Sequence, residues 1–596
     1  GFVHPLVEDA VHKDLSPGER ELAHDRAARV LAAIGATPEK IAAHLLLVPP
    51  RGDLGVVRVL RDAAERALDR GAAESAAAYL NRCVAEPPSE EDLPQVLMEL
   101  GRIETMVNGS SALDHLAQAY RALSDPEPKA ETAIMLARTL VFGGERGRAT
   151  AVARAALDDL PADLVDQRQG LLALERIGGD MHDLDPAAYR AHERPEVTGQ
   201  GTGARALAAT LAWEDLITSD NRVRALGLAR FAVEDGSLRQ VDAGLLWVVA
   251  GMVMEMGGED TMGYWQEALA DGYRRGALFA VLSAHLWMGW TQWWRGDLRE
   301  ALQSLANCAE QNQLWGSNIG RSYVDGFTVP LLLERGDVAG ARRRLEDARS
   351  FEHFGEGVRL FGEAEAAVLL AEGRPAEALT VLDAVAGHIR GVENPIWRSS
   401  RSQRAVILAA LGQRDEAVAL VEDELSAARR WGTPELAGRT LRVLGELGTP
   451  ESVDALREAV DLLTPRPQLL ERAKAQAALG EALLELSGPG DRAEAAEALR
   501  SALELAALCG AVPLRERAAR LLDGAGFDVP GELPVRSSLT TTERRIVGLA
   551  VDGTPERDIA EQLFITPRMV QTTIASVSQK LGADTLDDLR RALAET

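Results

Sequence analysis

The chain has 596 residues, too many for one hydrophobic core, so it divides into several domains or forms a long repeat array. A net charge of −26 spread along its length favours solubility and argues against broad binding to nucleic acid or anionic membrane, so any DNA contact has to be local. Cys83, Cys308 and Cys509 are far apart and offer neither a disulfide frame nor a zinc spacing, and no apolar run reaches the length of a membrane span. The expectation is a cytoplasmic protein with no metal and no membrane partner.

Residues 1–50 read as three short helices, from Pro5 to about Lys13, then one capped by Ser16-Pro17-Gly18-Glu19 and one capped by Thr37-Pro38. From about 57 to 510 the chain alternates Ala- and Leu-rich helical stretches with short Gly-containing breaks. Hairpins turn near Gly71, Gly109 and Gly143-Gly144. A regular signature follows: Gly296-Asp297, Gly336-Asp337, Gly373-Arg374, Gly412-Gln413, Gly448-Thr449 and Gly490-Asp491, with successive glycines 36 to 42 residues apart. That period is that of a helix-pair repeat, in which Gly ends one helix in a left-handed conformation and small Ala residues let the next pack closely. One such hairpin cannot bury its own apolar side, so stacked hairpins give a superhelix with a concave face. It resembles tetratricopeptide-type sensor arrays.

Eight of the ten tryptophans fall between Trp213 and Trp315. Trp287, Trp290 and Trp294 share one face of a helix and Trp293 lies off it. Each can bury roughly 150 to 250 Å² and must be covered by something. The cluster reads either as inter-helix core or as the wall of an effector pocket or partner groove, with Trp287, Trp290, Trp293 and Trp294 as the effector-binding candidates.

A linker rich in Gly and Pro, 524–538, leads to four short helices in 539–596. Thr540 with Glu543 forms a capping box, and Thr554-Pro555 and Thr566-Pro567 each place a hydroxyl cap before a proline. In the third helix Val570, Ile574, Val577 and Leu581 recur at helical spacing and face inward. The opposite face then carries Arg568, Gln571, Thr572, Ala575, Ser576 and Gln579. This order is a helix-turn-helix, whose second element enters the major groove, where Arg pairs with guanine and Gln with adenine. Arg568, Gln571 and Thr572 are the base-reading candidates, with Thr566, Ser576 and Lys580 as further DNA contacts. From 537 to 596 seven Lys and Arg stand against nine Asp and Glu, a net charge of −2. So little positive charge predicts weak binding by one copy, and a homodimer on double-stranded DNA.

Residues 539 to about 592 resemble the DNA-binding domain of the LuxR family of transcription regulators through Leu539-Thr540, Glu543, Gly553, Asp558-Ile559-Ala560, Leu563, Ile565-Thr566, Val570 and Lys580-Leu581-Gly582. Met569 stands where a phosphate-contacting Thr is usual, Gln571 where Lys or Glu is common, Thr573 where His is frequent and Leu586 where Arg is usual. The run Phe2-Val3-His4-Pro5-Leu6-Val7 with Leu15-Ser16-Pro17-Gly18-Glu19-Arg20 resembles the winged-helix end of the ATPase module in large ATP-binding LuxR-type regulators. Such regulators join an NTPase, a helical repeat sensor and a terminal LuxR-type domain.

The resemblance implies an all-α chain: a winged-helix remnant at 1–50, a tetratricopeptide-like superhelix at 51–523, the linker, and a four-helix helix-turn-helix domain at 539–596. No GxxxxGK[ST] occurs, so ATP is expected only for an N-terminal module that this chain lacks, and the expectation is a fragment with no cofactor and no enzyme activity. The expected function is DNA-binding regulation of transcription, controlled by a small-molecule or protein effector in the repeat domain. The alternative is a protein-binding scaffold with a degenerate helix-turn-helix.

Overall fold

The computed structural model describes residues 15–594 except 108, 179–193, 242–244, 316–318, 352, 354–355, 389–391, 398, 487, 531–538, 540, 564–565 and 584. The first helix expected at the N-terminus and the Thr540 cap lie outside the described residues. Among the described residues every regular element is a helix and no strand occurs. None of these helices is long and apolar enough to cross a membrane.

The chain divides into two compact units. One comprises Gly1–Gly179, Ala270–Val281 and Leu314–Ser317. Its described part opens with Pro17–Ala33, where the Ser16 side chain accepts from the Glu19 backbone N–H and the Glu19 carboxylate accepts from the Ser16 N–H. Pro38–Leu45 follows, with Pro38 at its start as expected, but Thr37 before it has an extended backbone and makes no side-chain cap hydrogen bond. Ala28, Ile41 and Leu45 from these helices share one core with Leu60, Leu80 and Leu100 of the hairpins after them. At the turn of one hairpin Gly71 has φ +74°, and a Cβ there would sit 2.0 Å from the Arg274 carbonyl oxygen, so both backbone hand and space demand glycine. The break expected near Gly109 separates Leu93–Val107 from Gly109–Ala122.

The second unit holds Asp180–Leu269, Leu282–Gln313 and Asn318–Thr596. Its repeats are antiparallel hairpins in series: Ile319–Glu334 with Val338–Ala348, Glu356–Ala371 with Pro375–Val385, Ser400–Ala410 with Arg414–Trp431, Pro434–Glu446 with Ser452–Leu463, and Leu469–Leu486 with Pro489–Cys509. Gly296, Gly336, Gly373, Gly412 and Gly448 all have positive φ, as the repeat signature requires. Gly490 differs. Gly488, with an extended backbone, caps Pro489–Cys509, so Gly490 falls in the first helical turn. Proline at the helix start took over the role that the spacing assigned to glycine.

Small residues set how closely paired helices approach. A Cβ on Gly480 would lie 2.5 Å from Leu499, so the Leu side chain uses the space that a larger residue would fill. Segments of this unit that are distant in the chain also meet. The Asn394 side chain donates to the Leu216 carbonyl at 2.8 Å, and the Trp431 indole N–H donates to the Met256 carbonyl at 2.8 Å. Residues more than 170 positions apart in the chain are thereby joined. The fold is a helical-repeat array of tetratricopeptide-like hairpins with a terminal group of four short helices.

Candidate nucleic-acid interface and inner cavity

The terminal helices are Thr541–Val551, Glu556–Gln562, Pro567–Leu581 and Leu586–Ala594. Two small cores hold them. Val577, Val547, Val551 and Leu589 join Leu539 in one, and Val570, Ile546, Ile559 and Leu563 form the other. Ile574 packs against both, so Pro567–Leu581 is clamped along one face by the helical repeat of its apolar residues. Thr566 has an extended backbone and its hydroxyl accepts from the Met569 N–H at 3.2 Å, the cap predicted from Thr566-Pro567. Gly582 ends the helix in the left-handed conformation.

The other face of Pro567–Leu581 is bare. Arg568, Gln571, Thr572, Ala575, Ser576 and Gln579 are all exposed, as predicted. Among the described residues no hydrogen bond or ion pair holds the Arg568 guanidinium, leaving its donors for a base edge or phosphate. Gln571 is engaged: its amide donates to the Glu556 carboxylate at 2.6 Å, across the two central helices. The Thr572 hydroxyl donates back to the Arg568 carbonyl at 2.7 Å, which leaves its oxygen and methyl for contact. Ser576 is exposed. Lys580 pairs with Glu543 at 2.5 Å at the far end of the helix. Met569 is 54% exposed and brings an apolar side chain to the edge of this surface.

Residues 537–592 match the family model of bacterial regulatory proteins of the luxR family. The terminal helices form a LuxR-type helix-turn-helix domain. A stretch of this chain is similar to three curated relatives, each carrying the name "Putative HTH-type transcriptional regulator", one from Mycobacterium bovis and two from strains of Mycobacterium tuberculosis. Each is 51% identical over 45 residues. That alignment covers 8% of this chain and 5% of the length of each relative. Over larger shares, solved structures are similar at low identity. A Rap protein complexed with competence and sporulation factor is 13% identical, with 65% of this chain and 99% of that chain covered at a TM-score of 0.37. The Cut9–Hcn1 hetero-tetramer of the APC/C is 12% identical, with 84% and 96% covered at 0.36. What the chain carries at residues 537–592 is a helix-turn-helix domain of the luxR type.

The repeat array holds a second candidate site, a cavity of about 360 Å³. Apart from Ile396, Trp397 and Ser399, its wall comes from six helices: Leu278–Arg295, Ile319–Glu334, Glu356–Ala371, Ser400–Ala410, Pro434–Glu446 and Leu469–Leu486. From Ile319 onward each is the first helix of its hairpin, so the cavity lies on the inner side of the superhelix. Trp290, Trp293 and Trp294 line it together. At about 100° per residue these three positions span an arc of only about 100°, so Trp293 joins the others although it lies at the edge of their face. Trp290 stacks on Trp294 with ring centres 5.9 Å apart, and Trp293 lies 6.1 Å from Phe327.

Trp287 is not part of this wall. It is 5% exposed and sealed among Trp265, Trp290, Phe327 and Trp397, with ring centres 5.9 to 6.4 Å away. Tryptophans at helical spacing carry no mark of which is sealed and which is open, because that depends on the distant segment that brings Trp397. The sequence reading also missed the charged part of the wall. Arg442 donates to Glu471 at 3.0 Å, and Lys474 bridges Glu471 at 3.2 Å and Glu334 at 2.5 Å. Burial raises the Glu471 pKa, but the charges of Arg442, Lys474 and Arg439 outweigh it and hold the group at about 2. Arg359 is tied to Glu356 and Glu363. Arg359 and its partners share one helix, but Glu334, Arg442 and the Glu471–Lys474 pair come from helices far apart in sequence, and no local motif announces their meeting.

Proposed function

We propose that this chain is a LuxR-type transcription regulator whose repeat array senses an effector and thereby controls how the terminal domain engages DNA. In this reading 51–523 is the sensor, 524–538 the linker and 539–596 the DNA-binding domain. The observation that carries it is the bare polar face of Pro567–Leu581, with Arg568, Gln571, Thr572 and Ser576 exposed above a helix anchored by buried Val570 and Val577. Arg568 and Gln571 read bases, Thr566 and Ser576 approach the backbone, and Lys580 adds charge at the end of the groove. Two copies on adjacent half-sites supply the phosphate contacts that one domain of net charge −2 lacks. The effector occupies the inner cavity beside Trp290, Trp293 and Trp294.

Retention of random-sequence duplex DNA by the full chain, followed by sequencing, tests this at low and at physiological salt. Each bidentate base contact is worth about 1–3 kcal/mol, so Arg568→Ala with Gln571→Ala should lower the affinity for the enriched site on the order of 100-fold and erase its half-site. Enrichment that survives the double change would place base reading elsewhere. No enriched site at either salt would move the reading to a protein-binding scaffold that grips a partner in the concave face.

A further inference from the structure

We infer that the inner cavity takes a planar aromatic anion, its ring against the tryptophans and its carboxylate on Arg439. This deepens the sensing role proposed above and rests on it. The aromatic half of the argument is the wall itself: Trp290 and Trp294 are stacked and partly cover one side, with Trp293 and Phe327 beside them. Trp290 is itself buried, so a flat ring meets the part-exposed indoles of Trp293 and Trp294, and 360 Å³ lies within the range of small-molecule sites, about 300–1,000 Å³.

The anionic half comes from separating engaged charges from unengaged ones. Four cationic side chains and three carboxylates line the cavity in a chain whose net charge is −26. Arg359 is held by Glu356 and Glu363, Arg442 by Glu446 and Glu471, and Lys474 by Glu334 and Glu471. Arg439 is different. Its guanidinium lies over the Trp294 ring at 5.6 Å, and among the described residues no hydrogen bond or ion pair engages its N–H groups.

The two carboxylates whose fields it shares are already served. Glu471 accepts from Arg442 and Lys474, and Glu424 accepts from the backbone N–H and hydroxyl of Ser402. A guanidinium held over an indole by its charge keeps N–H donors that match a carboxylate in a two-pronged contact. A neutral sugar can stack on the same indoles but gives no full charge for Arg439.

The test is calorimetric titration of the full chain with indole-3-acetate and naphthalene-2-carboxylate, with their uncharged amides, and with cellobiose as a neutral sugar. At least one acid should bind at one site, about tenfold or more tighter than its amide, since a hydrogen bond to a charged group is worth at least that factor. Arg439→Gln should abolish the preference for the acid, Arg439→Lys should keep part of it, and Trp294→Ala should weaken acid and amide together. Circular dichroism melts establish that each variant folds. Equal binding of acid and amide, a preference that survives Arg439→Gln, binding of cellobiose alone, or no binding of either acid overturns the inference. DNA retention measured on the same samples separates this from the sensing role. Arg439-dependent binding that leaves DNA retention unchanged keeps the ligand class and removes sensing. A neutral ligand that alters DNA retention keeps sensing and removes the ligand class.

Discussion

The helices Pro567–Leu581 and Leu278–Arg295 are similar in length, and both carry a candidate functional face, yet they reveal it in opposite ways. In the first the buried and working faces differ in chemistry: Val570 and Val577 go inward, and Arg568, Gln571 and Ser576 stay outside. In the second the core and the candidate binding wall are built from the same residue, tryptophan. Trp287 is sealed, and Trp293 and Trp294 are partly open, on one continuous apolar helix. A surface that reads a polymer of phosphates and base edges has to be polar, so the amphipathic pattern marks it. A surface that holds a flat apolar ligand resembles a core until the missing partner atoms are located.

The sharpest way to break this contrast is to truncate both kinds of tryptophan. Trp287→Ala removes a ring with aromatic partners around it and should cost about 3–5 kcal/mol, as large core truncations do. Trp294→Ala, at the cavity edge, should cost about 1 kcal/mol. Amide hydrogen exchange across Leu278–Arg295 reads the two effects locally. Equal losses of protection would mean that the cavity wall is as structural as the core and that the distinction between the two tryptophans has no energetic basis.

The same helix region contains a titratable group whose response separates core from site. Glu255 is buried on Leu246–Met256, where it accepts from the hydroxyls of Thr261 and Thr291. Burial pushes its pKa from 4.5 to about 7, against the opposing pull of Arg295 and the two hydroxyls. The folded state then holds its proton at pH values where the unfolded chain has released it. Stability contributed here is present below about pH 4.5 and is lost as the pH rises toward 7. Glu255→Gln should therefore stabilise the array at pH 8 by up to about 3 kcal/mol and do little at pH 4.5. Melting curves at the two pH values check it, and a gain of equal size at both would show that Glu255 does not titrate in this range.

How much of this was legible in the sequence follows from the range of each signal. Thr566-Pro567 and the Val570–Val577 spacing are local, and the helix they predict is the one observed. Gly296, Gly336, Gly373, Gly412 and Gly448 are also local, because a left-handed turn needs no distant partner. Gly490 misled because Gly488-Pro489 makes the same break by other means. The cavity was only half legible. Its tryptophans are dense enough to be noticed, but Arg439, Arg442, Glu471 and Glu334 meet only when successive hairpins curve together. Lys474 and Glu334 are 140 residues apart.

The smallest expected effect tests the DNA face at its most ambiguous residue. Gln571 is exposed, as a base reader has to be, yet its amide is already bonded to Glu556 at 2.6 Å. To pair with adenine it needs both its amide donor and its carbonyl acceptor, so the bond to Glu556 has to loosen or be shared. Glu556 also places a carboxylate near the face proposed to meet DNA. Glu556→Ala removes both obstacles. The pair is exposed, so about 1 kcal/mol or less is at stake, and affinity should rise up to about fivefold at low salt and by less at high salt. A fall in affinity, with preference lost at a single base position, would mean the reverse: Glu556 holds Gln571 ready for its base, and the bond is part of the reading surface.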